Sequence, residues 1–98
     1  MPGNKNKYLI EYLPQVINKD LLGLNKEIKD LIKRKVERLI EEPLLGFPLK
    51  GKLSGYFKLK ISKYRIVYKI INDQLIILII AIGKRDNFFV YSLAEKRI

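Results

Sequence analysis

The hydrophobic pattern of this chain changes period at Pro43. Before it, apolar residues recur at roughly helical spacing: Val16, Ile17, Leu21 and Leu24, then Ile28, Leu31, Ile32, Val36, Leu39 and Ile40. Lys29, Lys33, Arg34, Glu37, Arg38 and Glu41 fall between the members of the second set, so each stripe occupies one helix face. Pro14 suits the first turn of the first helix, and Asn25 is a natural N-cap for the second. Pro43 ends that helix, because the residue before a proline is disfavoured in helical geometry. After Pro43 the period falls to two, predicting strands over Leu53–Ile61, Tyr64–Ile71 and Leu75–Ile82. The last is continuously apolar and is expected to be the most buried. Tyr8–Leu13 reads as a first strand, and Phe88–Ile98 as a short strand followed by a helical turn or two. The expected architecture is α+β: an N-terminal helical hairpin packed on a twisted, mostly antiparallel sheet of four to five strands, with a short C-terminal helix.

Ninety-eight residues are too few for two cores, so 1–98 is expected to form one domain. The chain has no cysteine and no histidine. Thiolate metal sites, thiol nucleophiles, Ser-His-Asp hydrolases, zinc hydrolases and ribonucleases with paired histidines are thereby excluded. Neither the start of the chain nor the longest apolar run, Leu75–Ile82, has the form of a signal peptide or a spanning helix. A soluble cytoplasmic protein with no membrane contact is the expectation. Net charge is +10, and it is unevenly distributed. Residues 1–42 carry nine basic and seven acidic side chains, whereas 43–98 carry eleven and three. The balanced part fits a solvated helix surface, and the basic part fits a face that binds a polyanion.

A two-residue turn at Ser62-Lys63 would fix the register of the strands around it. Ile61 then opposes Tyr64, Lys60 opposes Arg65, Leu59 opposes Ile66 and Lys58 opposes Val67. Phe57, Leu59, Ile61, Tyr64, Ile66 and Tyr68 share a core face, while Lys58, Lys60, Arg65, Val67 and Lys69 share the other. Like charges directly opposite destabilise a sheet, and a bound phosphate backbone would compensate for them. The plainer alternative is a solvated face whose lysines guard against edge pairing. Gly83-Lys84-Arg85-Asp86-Asn87 forms a second polar cluster at the end of the most apolar strand, where function often sits. Tyr91 follows on the expected edge strand. For this cluster the alternative is a simple turn with solvated Lys84 and Arg85.

In order, the pieces are Leu53-Ser54-Gly55-Tyr56-Phe57-Lys58-Leu59-Lys60, Tyr64-Arg65-Ile66-Val67-Tyr68, Gly83-Lys84-Arg85 and Val90-Tyr91. Glu42-Pro43, Gly46 and Leu49-Lys50-Gly51 precede them. From about Tyr8 to Arg97 this order resembles the RelE/ParE toxin superfamily. The resemblance implies the toxin of a type II toxin–antitoxin system. RelE-like members cut messenger RNA in the ribosomal A site, whereas ParE-like members poison gyrase. It also implies a RelB-like antitoxin partner, in a heterodimer or heterotetramer, and no metal or cofactor. The RelE-type positions correspond to Lys58, Lys60, Arg65, Arg85 and Tyr91, with Lys69 and Lys84 as further RNA contacts. The absence of histidine argues against the branch of the superfamily that uses glutamate and histidine as acid and base.

Such cleavage would use the neighbouring 2′-hydroxyl as nucleophile. Arginine stays protonated, so Arg65 and Arg85 suit phosphate binding and transition-state stabilisation. Tyrosine and lysine ordinarily titrate near ~10 and ~10.4, and neighbouring cations would push both toward the deprotonated form. Lys60 is the expected base, with Tyr91 as the alternative; Lys58 and Arg65 would hold the phosphate, and Tyr91 could instead stack on a base. A non-catalytic RNA- or ribosome-binding module and a gyrase inhibitor of the same fold are the rival readings.

Overall fold

Among the described residues, five strands form one sheet in the order β1-β5-β4-β3-β2. They are β1 Leu9–Tyr12, β2 Phe47–Pro48, β3 Phe57–Ile61, β4 Tyr64–Ile71 and β5 Ile76–Lys84. β1 runs parallel to β5 and every other pairing is antiparallel. The chain is described by a computed structural model over residues 7–98; what was expected of the start, 1–6, lies outside the described residues. Among the described residues no helix is long and apolar enough to cross a membrane.

The helix α1, Lys26–Glu37, begins where expected: the Asn25 side chain accepts the Ile28 backbone N–H at 2.9 Å. It relaxes into a 3₁₀ turn at Arg38–Ile40 before Pro43. Ile32, Val36 and Leu39 bury against β3, β4 and β5 through Leu59, Ile61, Ile66, Tyr68, Ile77, Ile79 and Ile82. This is the principal core, and each fully buried aliphatic in it contributes about 1.5–3 kcal/mol.

The first arm of the expected hairpin is much shorter than its apolar spacing suggested. It is a single π-helical segment, Val16–Asp20, and the chain then turns at Gly23 with φ 84°. Asp20, at the end of this segment, accepts the Ile82 backbone N–H at 2.8 Å. The arm stops where that bond can form, so a long-range contact overrides local periodicity. The strand expected from Leu53 starts only at Phe57, because Gly51–Leu53 forms a 3₁₀ turn and Gly55 adopts φ 94°.

The tail is also corrected. Instead of a strand followed by a turn, Phe89–Arg97 is one continuous helix, α2, so Tyr91 lies on a helix and not on an edge strand. Val90 and Ala94, one turn apart, pack on Val67, Ile80, Ala81 and Leu53 across the second face of the sheet. The β-favouring run Phe89-Val90-Tyr91 yields to that burial.

The register of β4 against β5 slips by one residue between Val67 and Tyr68, where Ile80 is left without a partner. β1 pairs with β5 only as far as Ile79, and beyond it two side chains bond to backbone groups of β5. Arg97 donates to the Ile80 carbonyl at 2.9 Å, while Asp20 takes the Ile82 N–H. The same two side chains form a doubly bonded ion pair at 2.8 Å, only 7% and 3% exposed. This buried bridge fastens the end of α2 to the sheet and to the Val16–Asp20 segment.

Candidate nucleic-acid interface

The β3–β4 register follows the two-residue turn at Ser62-Lys63: Ile61 opposes Tyr64, Lys60 opposes Arg65, Leu59 opposes Ile66 and Lys58 opposes Val67. Ser62 takes the left-handed conformation, φ 53°, that such a turn requires. Residues alternate between faces, so Lys58, Lys60, Arg65, Val67 and Lys69 occupy the side opposite α1. Lys58 and Lys60 are then about 7 Å apart along β3, and Lys60 lies about 5 Å from Arg65 across the strands. Lys60 Nζ rests 5.1 Å from the centroid of the Phe47 ring on β2, a cation–π contact that partly offsets its proximity to Arg65.

Arg65 Nη1 donates to the Ser62 carbonyl at 2.9 Å and to the Tyr64 carbonyl at 2.8 Å, holding its guanidinium beside the hairpin turn. Arg85 follows β5 and is anchored at the same end of the sheet, since its backbone N–H donates to the Lys63 carbonyl at 3.1 Å. Arg65 and Arg85 thus flank one turn. Lys58 and Tyr91 line a shallow concavity of about 330 Å³, whose wall also includes Lys50, Phe88 and Glu95.

Two of the expected RNA contacts stand apart from this group. Lys84 pairs with Tyr64 and shares its face, and together they line a different hollow that also holds Asp20 and Phe89. Alternation along β5 therefore turns Lys84 away from Arg65. Lys69 keeps the expected face but lies at the far end of β4, with its Nζ 5.5 Å from the Tyr56 ring centroid. Lys58 and Tyr91 line one hollow, whereas Lys60, Arg65 and Arg85 lie outside its lining, beside the Ser62-Lys63 turn.

Sequence reasoning missed three participants. Asp20 and Arg97 carry no local motif, and they meet only through a separation of 77 residues. Phe88, expected at the start of a strand, lies just before α2 at φ 56°, next to Asn87 at φ 54°. Each left-handed residue costs about 1–2 kcal/mol in a chain of L-amino acids. Its only legible signal was position, three residues ahead of Tyr91.

A short approach between backbones completes the frame. Gly46 lies so close to β3 that an added Cβ would meet the Lys58 carbonyl and the Tyr68 hydroxyl. The Tyr68 hydroxyl accepts the Gly46 N–H at 3.0 Å and donates to the Pro43 carbonyl at 2.7 Å. The strand that carries Lys58 is therefore seated on the connection from α1. Burial holds the Tyr68 phenol above its ordinary pKa of 10.0, opposed in part by the Gly46 bond.

The family described as ParE toxin of type II toxin–antitoxin system matches residues 9–87. The mRNA interferase toxin RelE of Escherichia coli strain K12 is 34% identical over 82 residues, covering 82% of this chain and 86% of that protein. A variant of E. coli toxin RelE solved in the free state superposes with a TM-score of 0.78 at 27% identity, covering 94% of this chain and 98% of that one. A chain of the toxin–antitoxin complex RelBE2 from Mycobacterium tuberculosis gives a TM-score of 0.71 at 26% identity, covering 81% and 99%. The cation-lined hairpin, the helix that closes on it and these likenesses agree, and the chain belongs to the RelE/ParE toxin superfamily, on its RelE-like side.

Proposed function

We propose that the protein is a ribosome-dependent endoribonuclease that cuts messenger RNA in the A site and so arrests translation. The observation that carries this reading is the run of Lys58, Lys60 and Arg65 on one face of β3 and β4, with Tyr91 of α2 lining one hollow with Lys58 and with the Arg85 backbone anchored at the hairpin turn. In the proposed step a base removes the proton of a ribose 2′-hydroxyl, and that oxygen attacks the adjacent phosphorus. The bond from phosphorus to the 5′-oxygen breaks and the leaving oxygen takes up a proton, giving a 2′,3′-cyclic phosphate and a free 5′-hydroxyl. Lys60 is assigned as base, with Tyr91 as the alternative. Lys58 and Arg65 hold the phosphate, and Arg85 bears the charge that develops in the transition state.

Such acid–base groups supply about 10²–10⁴-fold, whereas alignment of the attacking hydroxyl can supply up to ~7–11 kcal/mol. Alignment therefore dominates, which explains why a second body, the ribosome, would be needed to bend the message. One domain over 1–98 acting in the cytoplasm, without a cofactor and restrained by a RelB-like antitoxin, completes the proposal. Two of the similar proteins bear on it: one is named an mRNA interferase, and the other was solved as a toxin–antitoxin complex.

Primer extension on translated message, compared with the same RNA free in solution, tests the reading. Cuts should appear on the ribosome-bound message and be rare on free RNA; equal rates would count against it. Arg85→Ala should lower the cutting rate about 10²–10³-fold while ribosome binding falls only modestly. A pure binding module would show no cuts in either form. The family match also keeps gyrase in view, and a supercoiling assay should show no inhibition.

A further inference from the structure

Phe88 is 73% exposed, the most exposed of the large apolar side chains in the described chain. It is held in a left-handed conformation that a glycine or asparagine would tolerate better, and no core contact compensates for this. A bulky aromatic kept under such conditions calls for a reward outside the folded chain. Its surroundings indicate what that is. The ring centroid lies 6.5 Å from that of Tyr91, at an interplanar angle of 48°, so two aromatic faces open onto the same hollow. That hollow also carries Lys50 and Lys58, while Ser92 and Glu95 supply hydrogen-bonding groups. Apolar aromatic faces beside cations and polar groups match a nucleotide: a flat base, a charged phosphate and a polar sugar edge.

We infer that Phe88 forms, with Tyr91, the seat for an unpaired nucleobase of the RNA, next to the phosphate bound by Lys58. The inference rests on the RNA-cleaving reading and extends it, by naming the residue that fixes the substrate's position through stacking. Stacking tolerates any base, so Phe88 contributes grip and alignment more than sequence choice.

The chain contains no tryptophan, so Phe88→Trp creates a single fluorescent reporter at the seat. It should be titrated with a short 2′-O-methyl oligoribonucleotide, which resists cleavage, and with an abasic strand of the same charge. The base-bearing strand should quench the tryptophan about twofold or more, and the abasic strand should leave it nearly unchanged. Phe88→Ala should weaken binding of the oligoribonucleotide about tenfold, Phe88→Leu nearly as much, and Phe88→Tyr less than about twofold. Equal quenching by both strands, or parental affinity in Phe88→Ala, overturns the seat and points to a protein partner for this ring. Cleavage assays run in parallel keep the two claims separable. Stacking without any cutting would sink the nuclease and leave the seat standing. Normal cutting by Phe88→Ala with unchanged binding would do the reverse.

Discussion

On the α1 side of the sheet eleven buried residues among those described form the core, nearly all of them large: six isoleucines, two leucines, two valines and a fully enclosed tyrosine. On the α2 side there are six, and two of those are alanines. The first side is closed by apolar area. The second holds its helix with little such area and leaves Lys60 and Arg85 open to solvent beside it. What the second side lacks in packing it replaces with the Asp20–Arg97 bridge at the bulge of β5. Apolar packing is concentrated on one face and exposed positive charge lies on the other, with one buried ion pair helping to hold the helix that carries Tyr91. Damage to the α1 side should therefore lower stability without altering the rate per folded molecule, and damage to the α2 side should reach the chemistry.

The largest effect is expected from cutting that ion pair. Asp20→Ala leaves a buried guanidinium without its counter-charge and the Ile82 N–H without an acceptor, which should cost about 3–5 kcal/mol in urea unfolding. That is a large part of the ~5–15 kcal/mol a domain of this kind has. Replacing both partners, Asp20→Leu with Arg97→Met, should recover most of the loss. A loss below about 1 kcal/mol for Asp20→Ala would mean that α2 is held by its apolar contacts alone.

Tyr68→Phe strikes the opposite face and leaves the Gly46 N–H and the Pro43 carbonyl unpaired, for about 1–3 kcal/mol. Its pH dependence follows from the raised phenol. The folded state retains the proton to higher pH than the unfolded chain, so the stability linked to this group is complete below pH 10.0 and is lost as pH rises through the raised value. Stability of the parent should fall in that alkaline range, and the fall should be shallower in Tyr68→Phe. Some of it will persist, because burial and the nearby Glu37 also raise Tyr12. Equal alkaline slopes would contradict the assignment.

Asn25→Ala should give the smallest change, about 1 kcal/mol, since it removes one cap from a helix otherwise secured by packing. Its cutting rate per folded molecule should match the parent.

These expectations rest on parts of the molecule that were unequally legible. The β3–β4 register was readable because Ser62-Lys63 leaves no slack and every strand residue must then take a set partner. Asn25 and Pro43 were readable because caps and breakers act locally. The helix of Tyr91 was not, because Phe89-Val90-Tyr91 favours a strand, and only Val67, Ile80 and Ala81, distant in sequence, make a helix of it. The short first arm escaped for the same reason, as Asp20 answers to Ile82 rather than to its neighbours. The position of Lys84 depended on its pairing with Tyr64, which only the β4–β5 register reveals.

The claim that most needs testing is that Lys58 from β3 and Tyr91 from α2 act on the same phosphodiester. A double-mutant cycle of Lys58→Ala and Tyr91→Ala, read as single-turnover cutting of ribosome-bound message, addresses it directly. The combined variant should lose far less than the product of the two single losses, with a coupling of about 1 kcal/mol or more. Losses that multiply within about twofold would show that the two side chains act independently, and the shared site would have to be abandoned.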